Sequence, residues 1–323
     1  MKQEFVGKKI GFLGDSHTAR GNYIYYLRAA MQGQEEKCFV FNYGASGARS
    51  ETGQYTLIQE LEGRSKPDYV FVMFGCNDMG IWLYDADKEI TPELLAKRAE
   101  RDQRYQSGIR EIVKILKEKG ITPVLMSTLC VNERLIEKEN IQTVADNQEK
   151  EDYIGPSFYK RKTFRAINVG LKGYAAWVKA FAEEQGLAYI DNFTPSYENT
   201  MHNEDTHLED GVHLSDSGYM AVAKNILAYL GVENVAETLP HTAENDEIAK
   251  LEGSDRTIQF IPWVLCNPVL GARTDDDVKK YAEDMIADPE KEEWMKKTAR
   301  YYLENRDKQL DIRAEIEKLT FSL

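Results

Sequence analysis

Five short, continuous apolar runs separated by helical stretches fill the first two-thirds of this chain, and few folds accept that pattern. The runs are Ile10–Leu13, Cys38–Asn42, Tyr69–Phe74, Pro123–Ser127 and Leu187–Ile190. They do not alternate apolar with polar, as a strand with one wet face would, so each reads as a parallel strand covered on both sides. One helix is expected to begin near Ala19 and to carry Tyr26, Leu27 and Ala30. A second places Ile109, Ile112, Val113 and Leu116 on one face, with Gly120 where a terminating glycine belongs. A third carries Ile167, Leu171, Tyr174, Val178 and Phe181 and closes at Gly186; a fourth carries Met220, Ala223, Leu227 and Leu230 and closes at Gly231. Alternating β and α elements of this kind predict an α/β protein, a three-layer α/β/α sandwich around a five-stranded parallel sheet. Chemistry in such sheets gathers at the carboxyl ends of the strands.

Two segments fall outside the alternation. Residues 132–165 form a long, charged insertion containing Tyr153, Gly155-Pro156, Phe158 and Tyr159, which reads as a partly helical flap over the site or as a solvated loop. After Gly231 the character changes, and a boundary near Val232 to Leu239 divides the chain into a domain at 1–232 and a mostly helical C-terminal extension at 233–323. In the extension, the apolar stretch Ile258–Leu270 is expected to pack irregularly against the main domain. Thr274 with Asp275, Asp276 and Asp277 marks the start of one helix, and Asp288-Pro289 the N-cap and first residue of another. The charged middle of that last helix, Glu304–Lys308, reads as a solvated face, with a homo-oligomer contact as the alternative.

A formal net charge of −13 argues against nucleic acid or an anionic membrane as partner. Cys38, Cys76, Cys130 and Cys266 are scattered and read as reduced thiols. Residues 1–9 hold no apolar signal core, and no run approaches membrane-spanning length, so a cytoplasmic protein is expected, or a secreted one if a leader has been trimmed.

The residues that follow each strand carry the chemistry. After the first comes Gly14-Asp15-Ser16, after the second Asn42-Tyr43-Gly44-Ala45-Ser46-Gly47, and after the third Gly75-Cys76-Asn77-Asp78. Asp210-Gly211-Val212-His213 precedes the fourth helix. Acyl transfer needs such an inventory. A serine hydroxyl becomes a useful nucleophile when a base takes its proton, which His213 can do for Ser16. Asp210 can reach the other ring nitrogen and fix the tautomer. The oxyanion of a tetrahedral intermediate needs preorganised donors, and the Ser16 N–H, the Gly44 N–H and the Asn77 amide are the candidates. Asp15, His17 and Asp78 read as supports of these loops, and Cys76 as a buried small side chain.

These four blocks, in this order, resemble those of the SGNH hydrolases, the GDSL-type esterase and lipase superfamily. Ser16, Gly44, Asn77 and His213 match the defining residues one by one, and Asp210 matches the aspartate of the closing D-x-x-H. The resemblance covers roughly residues 8–231 and implies a flavodoxin-like sheet and a serine ester hydrolase working without a cofactor. His17 stands where leucine is commonest in the family, which removes the case for a typical lipase. No G-x-S-x-G elbow occurs in the chain, against an α/β-hydrolase. His202, His207 and His213 lie among acids, but their spacing matches no familiar zinc motif, so no metal is expected. Trp82, Tyr84, Tyr153, Phe158 and Tyr159 sit among polar residues and are candidates to stack on sugar. The expected reaction is therefore removal of a short acyl group, such as acetyl, from a carbohydrate. A lipid esterase, lysophospholipase or thioesterase is the alternative within the enzyme class, and a non-catalytic carbohydrate-binding relative the alternative outside it.

Overall fold

Strands β1 (Lys9–Gly14), β2 (Phe39–Gly44), β3 (Tyr69–Met73), β4 (Thr122–Met126) and β5 (Ala188–Ile190) form one parallel sheet in the order β2-β1-β3-β4-β5. This architecture comes from a computed structural model, which describes residues 1–84, 89–136, 166–232, 241–259 and 272–323. All five strands expected from the apolar runs are present, with ends displaced by one or two residues. Side chains alternate between two cores, which is why the runs are continuously apolar. Ile10, Phe12, Val40, Phe71, Met73, Val124 and Met126 face one core, while Leu13, Phe41, Tyr43, Val70, Val72 and Leu125 face the other.

The first core is covered by α2 (Asn22–Met31) and, further along the chain, the helix at Asp216–Leu230. The single helix expected from Ala19 is in fact two. A short α1 (Ser16–Ala19) ends before Gly21, whose φ of 81° turns the chain and caps α2. The second core holds α3 (Ser50–Glu60), α5 (Pro92–Glu118) and α6 (Ile167–Gln185), with the short α4 (Cys76–Met79) at its edge. The sequence pattern did not reveal α3, because SETGQYTLIQE is polar and every one of its residues is buried. A helix enclosed on all sides has no apolar stripe to read. Glycines 120, 186 and 231 end their helices as expected, each with positive φ. Two more helices complete this part, α7 (Phe193–His202) and α8 (Asp216–Leu230).

In the C-terminal part lie α9 (Ala243–Ile258), α10 (Asp275–Ala287) and α11 (Glu293–Ser322). Thr274 caps α10 as expected, in a reciprocal capping box with Asp277. The expected start of α11 at Asp288-Pro289 is wrong. Asp288 has extended backbone and its carboxylate accepts the Glu290 N–H at 2.9 Å, so this acid closes a turn and the helix begins four residues later.

These helices cover the β2 edge of the sheet through a buried ionic cluster. Arg28 of α2 pairs with Glu252 of α9 at 2.5 Å, and its Nε donates to the carbonyl of Val40 on β2. Arg313 of α11 and Arg64 both pair with Asp255 of α9, at 3.0 and 3.2 Å. Arg64 also pairs with Glu60 at the end of α3, at 2.8 Å. Phe321 packs edge-on to Phe39, 4.8 Å between ring centres.

The flap reading of 132–165 falls largely on 137–165, and with it Tyr153, Phe158 and Tyr159, outside the described residues. So do residues 233–239 of the expected boundary, residues 260–270 of the apolar stretch, and Cys266. Among the described residues no helix is long and apolar enough to cross a membrane.

Candidate active site

The sheet register brings three of the four blocks together. Gly14 pairs with Gly44 on one side and with Met73 on the other, so the loops after β1, β2 and β3 leave the sheet side by side. Asp15 caps α1: its Oδ1 accepts the His17 N–H at 3.0 Å and its carbonyl accepts those of Thr18 and Ala19. Ser16 is thereby held as the first helical residue, half-buried.

The fourth block arrives from 197 positions away. His213 Nε2 lies 2.8 Å from Ser16 Oγ, and its Nδ1 lies 2.6 Å from Asp210 Oδ2. A carboxylate can only accept, so in the neutral ring Nδ1 carries the proton and Nε2 accepts from the serine hydroxyl. Asp210 Oδ1 also accepts the backbone N–H groups of Val212 and His213, at 2.9 and 2.8 Å. Partial burial pushes this carboxyl up, but the hydrogen bonds from His213 and Val212 outweigh it and leave its pKa lowered to about 2. The group is ionised wherever the protein works near neutrality. Chemically, the arrangement can take a proton from Ser16, hold it on an imidazolium facing a carboxylate, and return it.

The expectation for Gly44 needs correcting. Its N–H donates to Asn42 Oδ1 at 2.9 Å, and the residue is buried at the end of β2. A Cβ there would stand 2.2 Å from the Ala19 nitrogen, so this glycine permits close packing of α1 on β2. Three residues on, Gly47 is exposed with φ of 75°, and its N–H has no acceptor among the described residues. Asn77 Nδ2 donates to the carbonyl of Ala48 at 3.0 Å, which brings the third block against the peptide that follows Gly47. An amide carries two N–H groups, and this bond uses one of them. Both glycines of Asn-Tyr-Gly-Ala-Ser-Gly were visible in the sequence. The Asn42 side chain is what separates them, because it occupies the N–H of Gly44.

The supporting residues are all buried. Asp78 Oδ1 accepts both the backbone N–H and the hydroxyl of Ser50, at 2.8 and 2.5 Å, which pins α4 to the start of α3. Burial pushes the Asp78 carboxyl up to about 6 despite these bonds. Burial likewise raises Asp15 to about 7, with the nearby Asp78 adding to it and the His17 N–H opposing it. His17 is lowered to about 3 by burial and by its neighbour His213, whose ring centre is 5.3 Å away; its Nδ1 lies 3.2 Å from the Tyr219 hydroxyl. Cys76 is buried and its thiol is raised well above the ordinary range.

His207 sits elsewhere, buried, with Nε2 on the carbonyl of Cys130 at 3.2 Å and Nδ1 on the Thr206 hydroxyl at 3.0 Å; His202 is exposed. Among the described residues no three acidic, histidine or cysteine side chains converge as metal ligands would. One face of Tyr84 is covered by the Arg98 guanidinium, 4.1 Å from the ring centroid, and its hydroxyl end packs on Gly170. The side chain of Trp82 lies outside the described residues.

The model of the GDSL-like Lipase/Acylhydrolase family matches residues 12–221. No curated protein matches the chain in sequence. Among solved structures, a gut microbial diltiazem-metabolizing enzyme is similar at 14% identity and a TM-score of 0.59, covering 99% of this chain and 96% of its own. That shared fold extends over the C-terminal helices. A Geobacillus acetyl-xylooligosaccharide esterase, Axe2, covers 72% of this chain and 99% of its own at 22% identity, with a TM-score of 0.49. A lipase/acylhydrolase from Enterococcus faecalis covers 69% of this chain and 95% of its own at 21% identity, with a TM-score of 0.41.

Proposed function

The chain belongs to the GDSL-like lipase/acylhydrolase family and is a carboxylic ester hydrolase, and from that premise we propose that it removes a short acyl group, acetyl first, from a carbohydrate. The observation that carries the mechanism is His213, whose two ring nitrogens reach Ser16 Oγ at 2.8 Å and Asp210 at 2.6 Å. In this reading Ser16 attacks the ester carbonyl as His213 takes its proton. The imidazolium is held against Asp210 and returns the proton to the leaving alkoxide. Water then repeats the sequence on the acyl-enzyme. The oxyanion is met by the N–H groups of Ser16 and Gly47 and the free N–H of Asn77, a set in which Gly47 replaces Gly44.

The acceptor is inferred from the rim. Ser46 and Glu209, next in the chain to Gly47 and Asp210, are exposed and polar or charged, as is Arg20 at the end of α1. A hydroxyl-rich acceptor matches such a rim better than a long alkyl chain does, because apolar surface gains its affinity from apolar cover. The test is a chain-length series of nitrophenyl esters, followed by acetate release from acetylated oligosaccharides, with wild type and Ser16→Ala. Acetate esters should be turned over fastest and Ser16→Ala should be inactive. Equal rates for the two proteins would sink the serine mechanism. Rates that climb with acyl length would favour a lipid or thioester substrate.

A further inference from the structure

We propose that Asn168, at the start of α6, is a positioning residue for His213, acting through the three consecutive residues Cys130, Val131 and Asn132. The inference rests on the reading of His213 as the base. Each of the three residues makes a different connection. The carbonyl of Cys130 accepts from His207 Nε2 at 3.2 Å. The Asn132 N–H donates to the carbonyl of Gly211 at 2.7 Å. Between them, Val131 is held at both of its backbone groups by one side chain: its N–H donates to Asn168 Oδ1 at 2.9 Å, and its carbonyl accepts from Asn168 Nδ2 at 2.8 Å. An amide side chain here does what a neighbouring strand would do for one residue of a ladder.

The other end of this connection is the loop that holds the triad. Residues 207 and 214 bridge at its base, and the Leu208 N–H donates to the His213 carbonyl at 2.8 Å. Its tip is Gly211, between Asp210 and His213, with φ of 67°. A Cβ on Gly211 would stand 2.7 Å from the Asn132 carbonyl oxygen and 2.7 Å from both the nitrogen and Cγ1 of Ile136. The loop is therefore seated directly on the segment that Asn168 immobilises. Glu133 completes the arrangement by accepting the Asn168 N–H at 2.9 Å, a cap that Ala166, in the left-handed region, cannot supply.

Asn168→Ala removes two hydrogen bonds to the backbone of the buried Val131, while the residues that touch substrate are left in place. Displacement of a reacting group by about 1 Å can cost about 10²-fold in rate, so a loss of about 10- to 100-fold in kcat is expected, with KM changed by less than about threefold. The discriminating measurement is a double-mutant cycle with His213→Ala. If Asn168 acts through His213, Asn168→Ala costs nothing further in the His213→Ala background, and the downfield proton resonance of His213 Nδ1–H shifts or broadens in the single variant. The same loss in both backgrounds, or a lowered melting temperature with unchanged kcat and an unchanged resonance, overturns the proposal. Should Asn168→Ala fail to fold, Asn168→Ser and Gly211→Ala enter the same cycle with the same expectations. A His213→Ala enzyme as fast as wild type would be a failure of the serine-histidine reading, and is seen separately in that arm.

Discussion

Asp210 grips His213 at two points, the ring Nδ1 through Oδ2 and the backbone N–H through Oδ1. One carboxylate thus fixes the tautomer of the base and ties its ring to its own backbone. Asp210→Asn keeps the size of the side chain but can present an N–H to Nδ1, which favours the tautomer with its proton facing Ser16. The expected outcome is a fall in kcat on the order of 10³–10⁴ with KM little altered. Steady-state kinetics on a nitrophenyl acetate checks it, and a loss below tenfold would remove Asp210 from the mechanism.

Asp15 should make the protein less stable as pH rises through the acid-to-neutral range. Its folded pKa of about 7 lies above the ordinary 3.8. Between those values the folded state keeps a proton that the unfolded chain has released, so stability falls from about pH 4 to about pH 7. Asp15→Asn leaves an acceptor for the His17 N–H and abolishes the titration. Melting temperatures measured at pH 4 to 7 should decline less steeply for the variant than for wild type. Parallel curves would show that the carboxyl is not protonated in the fold.

Gly44 and Asn77 should fail in different ways when changed to alanine. Gly44→Ala forces a Cβ to 2.2 Å from backbone that cannot yield, and a destabilisation of about 3 kcal/mol is expected in urea titrations. Asn77→Ala loses the bond to Ala48, worth about 1 kcal/mol, together with an oxyanion donor worth about 10²–10³ in kcat. A Gly44→Ala protein as stable as wild type would show that the close approach of α1 to β2 is not required for the fold.

Arg313 should be among the most sensitive positions far along the chain. It is 1% exposed and bonds to Asp255 and to the carbonyl of Gln59, linking α11 to α9 and α3. Arg313→Leu leaves Asp255 with fewer partners in the interior, and removing one member of a buried pair costs about 3–5 kcal/mol. A urea midpoint within error of wild type would argue against a structural role for the cluster.

Much of this protein is legible in its residues alone. The five strands can be read because burial on both faces makes a run such as Tyr69–Phe74 apolar throughout, a signal contained within that short segment. Ser16 and Asn77 can be named because each follows such a strand, and Asp210 and His213 because they lie just before a helix. Features with no local signature stay hidden. Helix α3 is polar and wholly enclosed, and the start of α11 is obscured because Asp288 caps a turn as readily as a helix.

Periodicity and turn chemistry act over a few residues, so the elements, their order and the four blocks are written locally along the chain. Which groups meet, and which are already occupied, depends on tertiary packing. Gly44 and Gly47 look alike as letters, but the Asn42 side chain consumes the N–H of the first and leaves that of the second. Asn168 looks like any polar residue near a helix start until Val131 comes to lie against it. A hydrogen-bonding group serves a ligand only if no nearer partner satisfies it, and which partner is nearer is settled by packing between distant parts of the chain.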